Sequence, residues 1–253
     1  TMQVTTMGYI TVAGTLNATW QTNVYGNGLI TLNNGAKFNT AALQLTGKEY
    51  SGRDNTDAER VGEPAEIIVN EGANFVVGSV KSSSGADYSY NSSYGVNIGT
   101  IAGKSAVLTL NGGNVDIYMA EGQNVNIGED GTVEVGVSTM KTICRKEGGT
   151  VGINNNGTIN FSELSAELHT ATADLDVTTN VKDYSVKYVD GVYRLVAKNY
   201  VAQIGEGESA QKFESLQEAV SACGTGTNTI TLLADCGEDV TVVQAPDTKI
   251  TID

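Results

Sequence analysis

Apolar and polar positions alternate along much of the chain in short runs, and an Asn-rich, Gly-containing corner breaks and then resumes the alternation. The phrase recurs as Ile30 to Phe38 (ITLNNGAKF), Ile67 to Phe75 (IIVNEGANF), Leu108 to Ile117 (LTLNGGNVDI), Ile127 to Val135 (IGEDGTVEV) and Ile153 to Phe161 (INNNGTINF). Period two on both sides of a corner predicts strand, tight turn, strand. Such a unit cannot bury its apolar edge alone, so the copies are expected to stack into an all-β solenoid. Glycine suits the corner because it takes positive φ freely. Asparagine tolerates the same region and can hydrogen-bond its stacked counterpart on the next rung.

The phrases fall into two registers. Gly35 and Gly72 are followed at the third residue by Phe38 and Phe75. Gly113, Gly131 and Gly157 are followed at the second and fourth residues by Val115 and Ile117, Val133 and Val135, and Ile159 and Phe161. In the second register Asp116, Glu134 and Asn160 are expected to point outward at equivalent positions. If their rungs are neighbours, the carboxylates of Asp116 and Glu134 would stand about 5 Å apart, the separation of a retaining glycosidase pair. Alternation by itself also puts polar residues there, whatever the function.

The unequal intervals between corner glycines imply an irregular stack with insertions. Thr46 to Pro64 (TGKEYSGRDNTDAERVGEP) is polar and charged, and its Asp54, Asp57 and Glu59 are weak candidates for a Ca2+ loop that lacks the glycine and ligand alternation of an EF-hand. Lys81 to Gly95 (KSSSGADYSYNSSYG) sets Tyr88, Tyr90 and Tyr94 among serine, glycine and asparagine, the mixture that binding loops use. These tyrosines are the expected ligand-binding residues. Insertions in stacked folds often gather on one side, so the two loops are expected to build a recognition surface together.

The chain changes character near residue 162. Leu164 and Leu168 in SELSAELH are spaced like one face of a short helix, and a polar stretch follows. Tyr184 to Leu195 (YSVKYVDGVYRL) alternates about Asp190-Gly191, the dipeptide of a two-residue hairpin turn. The expected division is therefore 1–181 stacked strands, 182–200 hairpin connector and 201–253 a second module. In that module Ser215 and Glu218 fit a capping box, Leu216, Ala219 and Val220 supply an apolar helix face, and Gly224 stops the helix. Strands are expected at Thr229 to Leu233, Val240 to Val243 and Ile250 to Ile252.

FESLQEAVSA followed by TITLLAD resembles the capping helix and first rung of right-handed parallel β-helices of the pectate-lyase-like group. It is similar in particular to modules of large surface, adhesin-like proteins of Gram-positive gut bacteria. The resemblance covers about the last fifth of the chain and implies a right-handed parallel β-helix with inserted loops, then a capping helix that starts a second such module. It speaks for architecture and not for activity. The chain is accordingly expected to be a piece of a longer protein, and the second module to expose free strand edges.

Composition narrows the function classes. The 253 residues include 30 Gly, 2 Pro and only 17% charged residues, which is strand-and-turn material. A formal net charge of −14 argues against nucleic acid and anionic membrane surfaces. No apolar run approaches the roughly 20 residues of a membrane span, so no membrane insertion is expected. Cys144, Cys223 and Cys236 form neither a disulfide framework nor a metal spacing; Cys223 and Cys236 flank an expected strand and are the one disulfide candidate, the alternative being buried thiols. His169 is the only histidine, so any Ser-His-Asp or Cys-His site would depend on it.

The expected protein is a non-enzymatic, extracellular, cell-surface or wall-attached adhesin-like module. It would bind a host or microbial glycan or a surface protein, as a monomer or as part of a longer chain, and need no cofactor unless the acidic loop takes Ca2+. A β-helical polysaccharide lyase or hydrolase using Asp116 and Glu134, and a passive spacer, are the alternatives.

Overall fold

The computed structural model describes residues 4–49, 60–78, 95–243 and 247–253, and the Tyr88, Tyr90, Tyr94 group and the Asp54, Asp57, Glu59 group both lie outside them. The chain forms two compact units, Thr1–Val196 and Ala197–Asp253. Among the described residues the architecture is all-β with a single α-helix.

The first unit opens with β1 (Val4–Thr6), β2 (Tyr9–Val12) and the long β3 (Thr15–Val24). The next cycle of the chain is β4 (Leu29–Leu32) and the long β5 (Lys37–Leu45). The third is β6 (Ala65–Asn70), β7 (Asn74–Val77) and β8 (Val96–Ile98). The fourth is β9 (Ala106–Asn111), β10 (Asn114–Met119) and β11 (Asn124–Ile127). The fifth is β12 (Gly131–Val135), β13 (Thr139–Cys144) and β14 (Gly152–Asn155). The last is β15 (Thr158–Phe161), β16 (Glu167–His169) and the short β17 (Thr178–Thr179).

From β2 to β16 the strands pair in parallel with counterparts one cycle away, while β1 pairs with β3 and β17 with β15. A seven-stranded sheet, in the order β17-β15-β12-β9-β6-β4-β2, holds β2, the first strands of the following five cycles and the short β17. The others make a twelve-stranded sheet that curls into two arms, because the first half of β5 pairs with β7 and its second half with β8. One arm continues through β10, β13 and β16, the other through β11 and β14. This arrangement of long parallel sheets, one of them a curled half-barrel, is compatible with a solenoid.

Alternation sets the core, as the sequence pattern requires. Ile30, Ile67, Leu108, Val133 and Ile159 occupy one register position of the seven-stranded sheet, and all are buried. Phe38, Phe75, Val115, Met140 and Leu168 do the same in one arm of the curled sheet, where the Phe38 and Phe75 rings stack with centroids 5.1 Å apart. Gly35 and Gly72 turn the corner before these phenylalanines with φ of +72° and +68°.

Tertiary pairing overrides the expected helix at Ser162 to His169. The free edge of β13 recruits Glu167–His169 as β16, which buries Leu168 and leaves Leu164 exposed. The expected hairpin forms as β18 (Tyr184–Val189) and β19 (Val192–Ala197), with Asp190 at φ +51° and Gly191 at +84°. It does more than connect: β19 pairs antiparallel with β16 and ends the parallel ladder of that arm. Tyr193 of β19 is buried, its ring lies tilted against Tyr188 with centroids 4.7 Å apart, and its hydroxyl accepts a hydrogen bond from Leu175 N at 2.7 Å. Burial, with smaller repulsion from Tyr188 and Asp174 and against the Leu175 bond, pushes the Tyr193 hydroxyl above its usual value.

The second unit holds β20 (Ala202–Ile204), β21 (Gln211–Phe213), α1 (Leu216–Ala222), β22 (Gly226–Leu232) and β23 (Thr248–Ile252), its sheet ordered β21-β20-β22-β23. The helix starts as its sequence predicts: Ser215 Oγ accepts from Glu218 N at 3.1 Å, and Leu216, Ala219 and Val220 are buried. Val240 to Val243 is not a strand. It pairs with neither β21 nor β23, the edge strands of this sheet, and Val242 and Val243 stay exposed. Cys223 and Cys236 are free thiols, which corrects the expected pairing. Cys223 Sγ instead donates to Ala219 O at 3.4 Å, both residues pack on the small second core, and burial raises the Cys223 thiol above its usual value.

Candidate functional site

Register decides what the outward residues can do together. Asp116, on β10, lies between Val76 and Lys141 in the curled sheet, whereas Glu134, on β12, lies between Thr109 and Asn160 in the seven-stranded sheet. The proposed carboxylate pair is therefore split between two faces. The spacing misleads because the corner at Gly113 leads from the seven-stranded sheet into the curled one, while the corners at Gly131 and Gly157 lead back. Only the Glu134–Asn160 part of the expected column exists, with Asn160 Nδ2 donating to Glu134 Oε2 at 2.7 Å. His169 sits on strand β16 and meets Glu167 Oε2 at 3.0 Å.

The clearest cross-strand chemistry is an amide ladder on the second arm of the curled sheet. Asn97 Nδ2 donates to Gln44 Oε1 at 3.1 Å, Asn126 Nδ2 to Asn97 Oδ1 at 3.0 Å and Asn154 Nδ2 to Asn126 Oδ1 at 3.1 Å. These residues share one register position on β5, β8, β11 and β14. Asn97 and Asn126 each use one donor and one acceptor in the ladder and keep one of each for other partners, whereas Gln44 only accepts in it and Asn154 only donates.

The ladder runs into a cleft of about 750 Å3 at the corner that leads to the seven-stranded sheet, lined by Asn126, Asn154, Thr172, Asp174, Glu129 and Asp130 among others. Glycine makes this corner thin. A Cβ on Gly99 would stand 2.1 Å from Gly131 N, and one on Gly128 2.2 Å from Gly99 O, so successive corners stack backbone on backbone. Two polar groups on the cleft wall are fixed by the fold: Asp130 Oδ2 accepts from Gly103 N at 2.7 Å, and Thr172 Oγ1 from Ile153 N at 2.9 Å. The wall is thus rich in acceptors, with amide N–H groups interspersed. Among the described residues no cluster of His, Cys, Asp and Glu is arranged to hold a metal ion.

A second cavity, of about 300 Å3, lies at the base of the first insertion. Arg60 anchors it: the buried guanidinium donates from Nε to Asn27 O at 2.7 Å and from Nη2 to Pro64 O at 2.6 Å, with Glu66 Oε2 3.7 Å from Nη1. Asn27 Nδ2 in turn donates to Arg60 O.

The ladder was visible in the sequence only as a general tendency of asparagine to stack. Asn97, Asn126 and Asn154 sit in segments of unequal spacing, and neither cleft could be found without the register. No helix among the described residues is long and apolar enough to cross a membrane. Compared with known proteins, the chain matches no family model, no curated protein and no solved structure.

Proposed function

We propose that the first unit is a right-handed parallel β-helix that serves as a non-enzymatic, adhesin-like binding module on a cell surface or in the extracellular space, contacting glycan or protein. The observation that carries this reading is the outward amide ladder that opens into an acceptor-rich cleft. Such a surface offers many moderate, water-competent hydrogen bonds to hydroxyls and amides, which suits recognition of polar polymers. The right hand follows from the strong preference of parallel crossovers. The acidity of the chain suits an extracellular surface and disfavours polyanionic partners. Separation of Asp116 from Glu134 removes the specific pair on which polysaccharide cleavage rested.

A glycan array, read first for bound protein and then for loss of immobilised glycan, tests this. Binding without glycan loss is the expected result, with Asn154→Ala and Asp174→Ala weakening it. Loss of glycan would replace the reading by a polysaccharide-cleaving enzyme. Binding that both variants leave intact would remove the cleft from the reading.

A further inference from the structure

We infer that the corner between β4 and β5 is a self-modifying site, at which Asn34 cyclises onto its own main chain and then opens to isoaspartate and aspartate. The step needs only water as co-reactant. Gly35 N attacks Asn34 Cγ, the Cγ–Nδ2 bond breaks, and the amide proton of Gly35 leaves with Nδ2 as ammonia, which closes a succinimide ring. Water then adds to either carbonyl of that ring. Opening at the main-chain carbonyl leaves Gly35 attached through Cγ, an isoaspartyl link; opening at Cγ leaves an ordinary aspartyl residue.

Such a step needs a following residue without a side chain and a main-chain N–H that is not already engaged. The sequence contains four Asn-Gly pairs, at Asn27, Asn34, Asn111 and Asn156, and the fold ties down three of them. Gly28 N donates to Tyr25 O at 2.9 Å, and Asn27 is buried with its Nδ2 on Arg60 O. Gly112 N donates to Ser138 Oγ at 3.0 Å, and Asn111 Nδ2 donates to Asn70 Oδ1 at 3.2 Å. Gly157 N donates to Asn155 Oδ1 at 3.1 Å. At Asn34 the turn closes around the pair instead, by Ala36 N donating to Asn33 O at 3.0 Å. Among the described residues neither Gly35 N nor the Asn34 amide has a hydrogen-bond partner.

The local geometry allows the attack. The Asn34–Gly35 peptide is the central one of its turn and belongs to no ladder, so it can rotate without breaking a hydrogen bond; type I and type II turns differ chiefly by this rotation. Gly35 stands at φ +72° and accepts either sign of φ. A Cβ on Gly35 would meet nothing within 4 Å, and residues 33–35 are exposed, so water reaches the ring. The position also gives the modification a consequence. Leu32 aligns with Val69 and Lys37 with Asn74, which puts Asn34 one layer from Glu71. Either product therefore sets a second carboxylate beside Glu71 at roughly one strand spacing, on the order of 5 Å. The groove that Asn34 shares with Asn70, Glu71 and Val137 gains charge, and the isoaspartyl link lengthens the corner by one main-chain carbon.

The test is incubation of the whole chain at mildly alkaline pH in heavy-oxygen water, followed by peptide mass spectrometry, with enzymatic methylation of isoaspartyl groups as the second readout. In the folded protein Asn34 is expected to convert roughly fivefold faster than Asn27, Asn111 or Asn156, the factor that one net hydrogen bond is worth. The product should carry one heavy oxygen, with isoaspartate in excess. In urea the Asn-Gly pairs are expected to converge in rate, because the fold and not the dipeptide makes the difference. Asn34→Gln keeps an amide but needs a larger ring, and is expected to remove most of the methylation from folded protein. Conversion at Asn34 no faster than at the other pairs would overturn the assignment, and so would the same ranking in urea. Methylation undiminished in Asn34→Gln would place the modification elsewhere and sink it equally.

Discussion

The two units solve the same problem, burying strands that cannot stand alone, at very different scale. In the first, each cycle lays a further layer on the same columns, and the core extends as one cluster from Val4 to Tyr193. In the second, one helix covers a four-stranded sheet, and the buried set is only Ala202, Phe213, Leu216, Ala219, Val220 and Ile230. Their edges differ too. The first unit ends with the β18–β19 hairpin over β16, and Thr178 and Thr179 hydroxyls bond the carbonyls of Ile159 at 3.1 Å and Phe161 at 2.7 Å. In the second, β23 is an edge strand, with Lys249 and Thr251 exposed. Stacked repetition distributes stability over many equivalent contacts, whereas a small single layer concentrates it in a few.

Substitutions can break this contrast. Phe75→Ala removes a fully buried ring from the Phe38 stack and is expected to cost about 3–5 kcal/mol, read as a lowered urea midpoint for the first unit. An unchanged midpoint would mean that neighbouring layers carry the column without it. Ile230→Ala in the second unit is expected to cost about 2–5 kcal/mol. Because the small core has little in reserve, hydrogen exchange should show protection lost throughout 197–253 and retained in the first unit. Loss in both would show that the units fold as one.

Smaller effects sharpen the comparison. Ser215→Ala deletes the helix cap and should cost about 1 kcal/mol, again confined to the second unit. Tyr193→Phe, which loses the hydrogen bond from Leu175, should cost about 1 kcal/mol below pH 10. The folded state raises the Tyr193 pKa, so its contribution is fully present below the ordinary tyrosine value and is lost as pH rises through the raised one. The parent should therefore lose stability at high pH more steeply than the variant. Parallel curves would show that Tyr193 does not titrate in the fold.

Much of this was legible in the chain, and the failures have physical reasons. Alternation and the Gly35 and Gly72 corners located strands, core and the equivalent places of Phe38 and Phe75, since period two and positive φ are local properties. The DG hairpin and the Ser215 cap were likewise local. Pairing is not local. The four-residue spacing of Leu164 and Leu168 suits a helix face, but the open edge of β13 decided in favour of a strand. The corner at Asn70 to Asn74 and its counterpart at Asn111 to Asn114 differ by one residue, since Asn70 aligns with Asn111 and Asn74 with Asn114. Counting from glycine therefore misassigned Asp116, and with it the carboxylate column. Val240 to Val243 has strand composition but joins neither edge strand of its sheet, β21 or β23.

The amide ladder also has a direction. Asn97 donates to Gln44, Asn126 to Asn97 and Asn154 to Asn126, and the same sense holds for Asn39 toward Asn17, Asn111 toward Asn70 and Asn160 toward Glu134. Side-chain dipoles aligned head to tail polarise one another, as peptide dipoles do in a helix. The column therefore acts as a weak electrical axis on the outside of the protein, with its N–H groups aimed at the early cycles and its carbonyl end at Asn154. That end lies in the cleft beside Asp174 and Glu129. The fold thus delivers extra negative potential to the cleft from amides such as Gln44 and Asn97, which are not part of its wall.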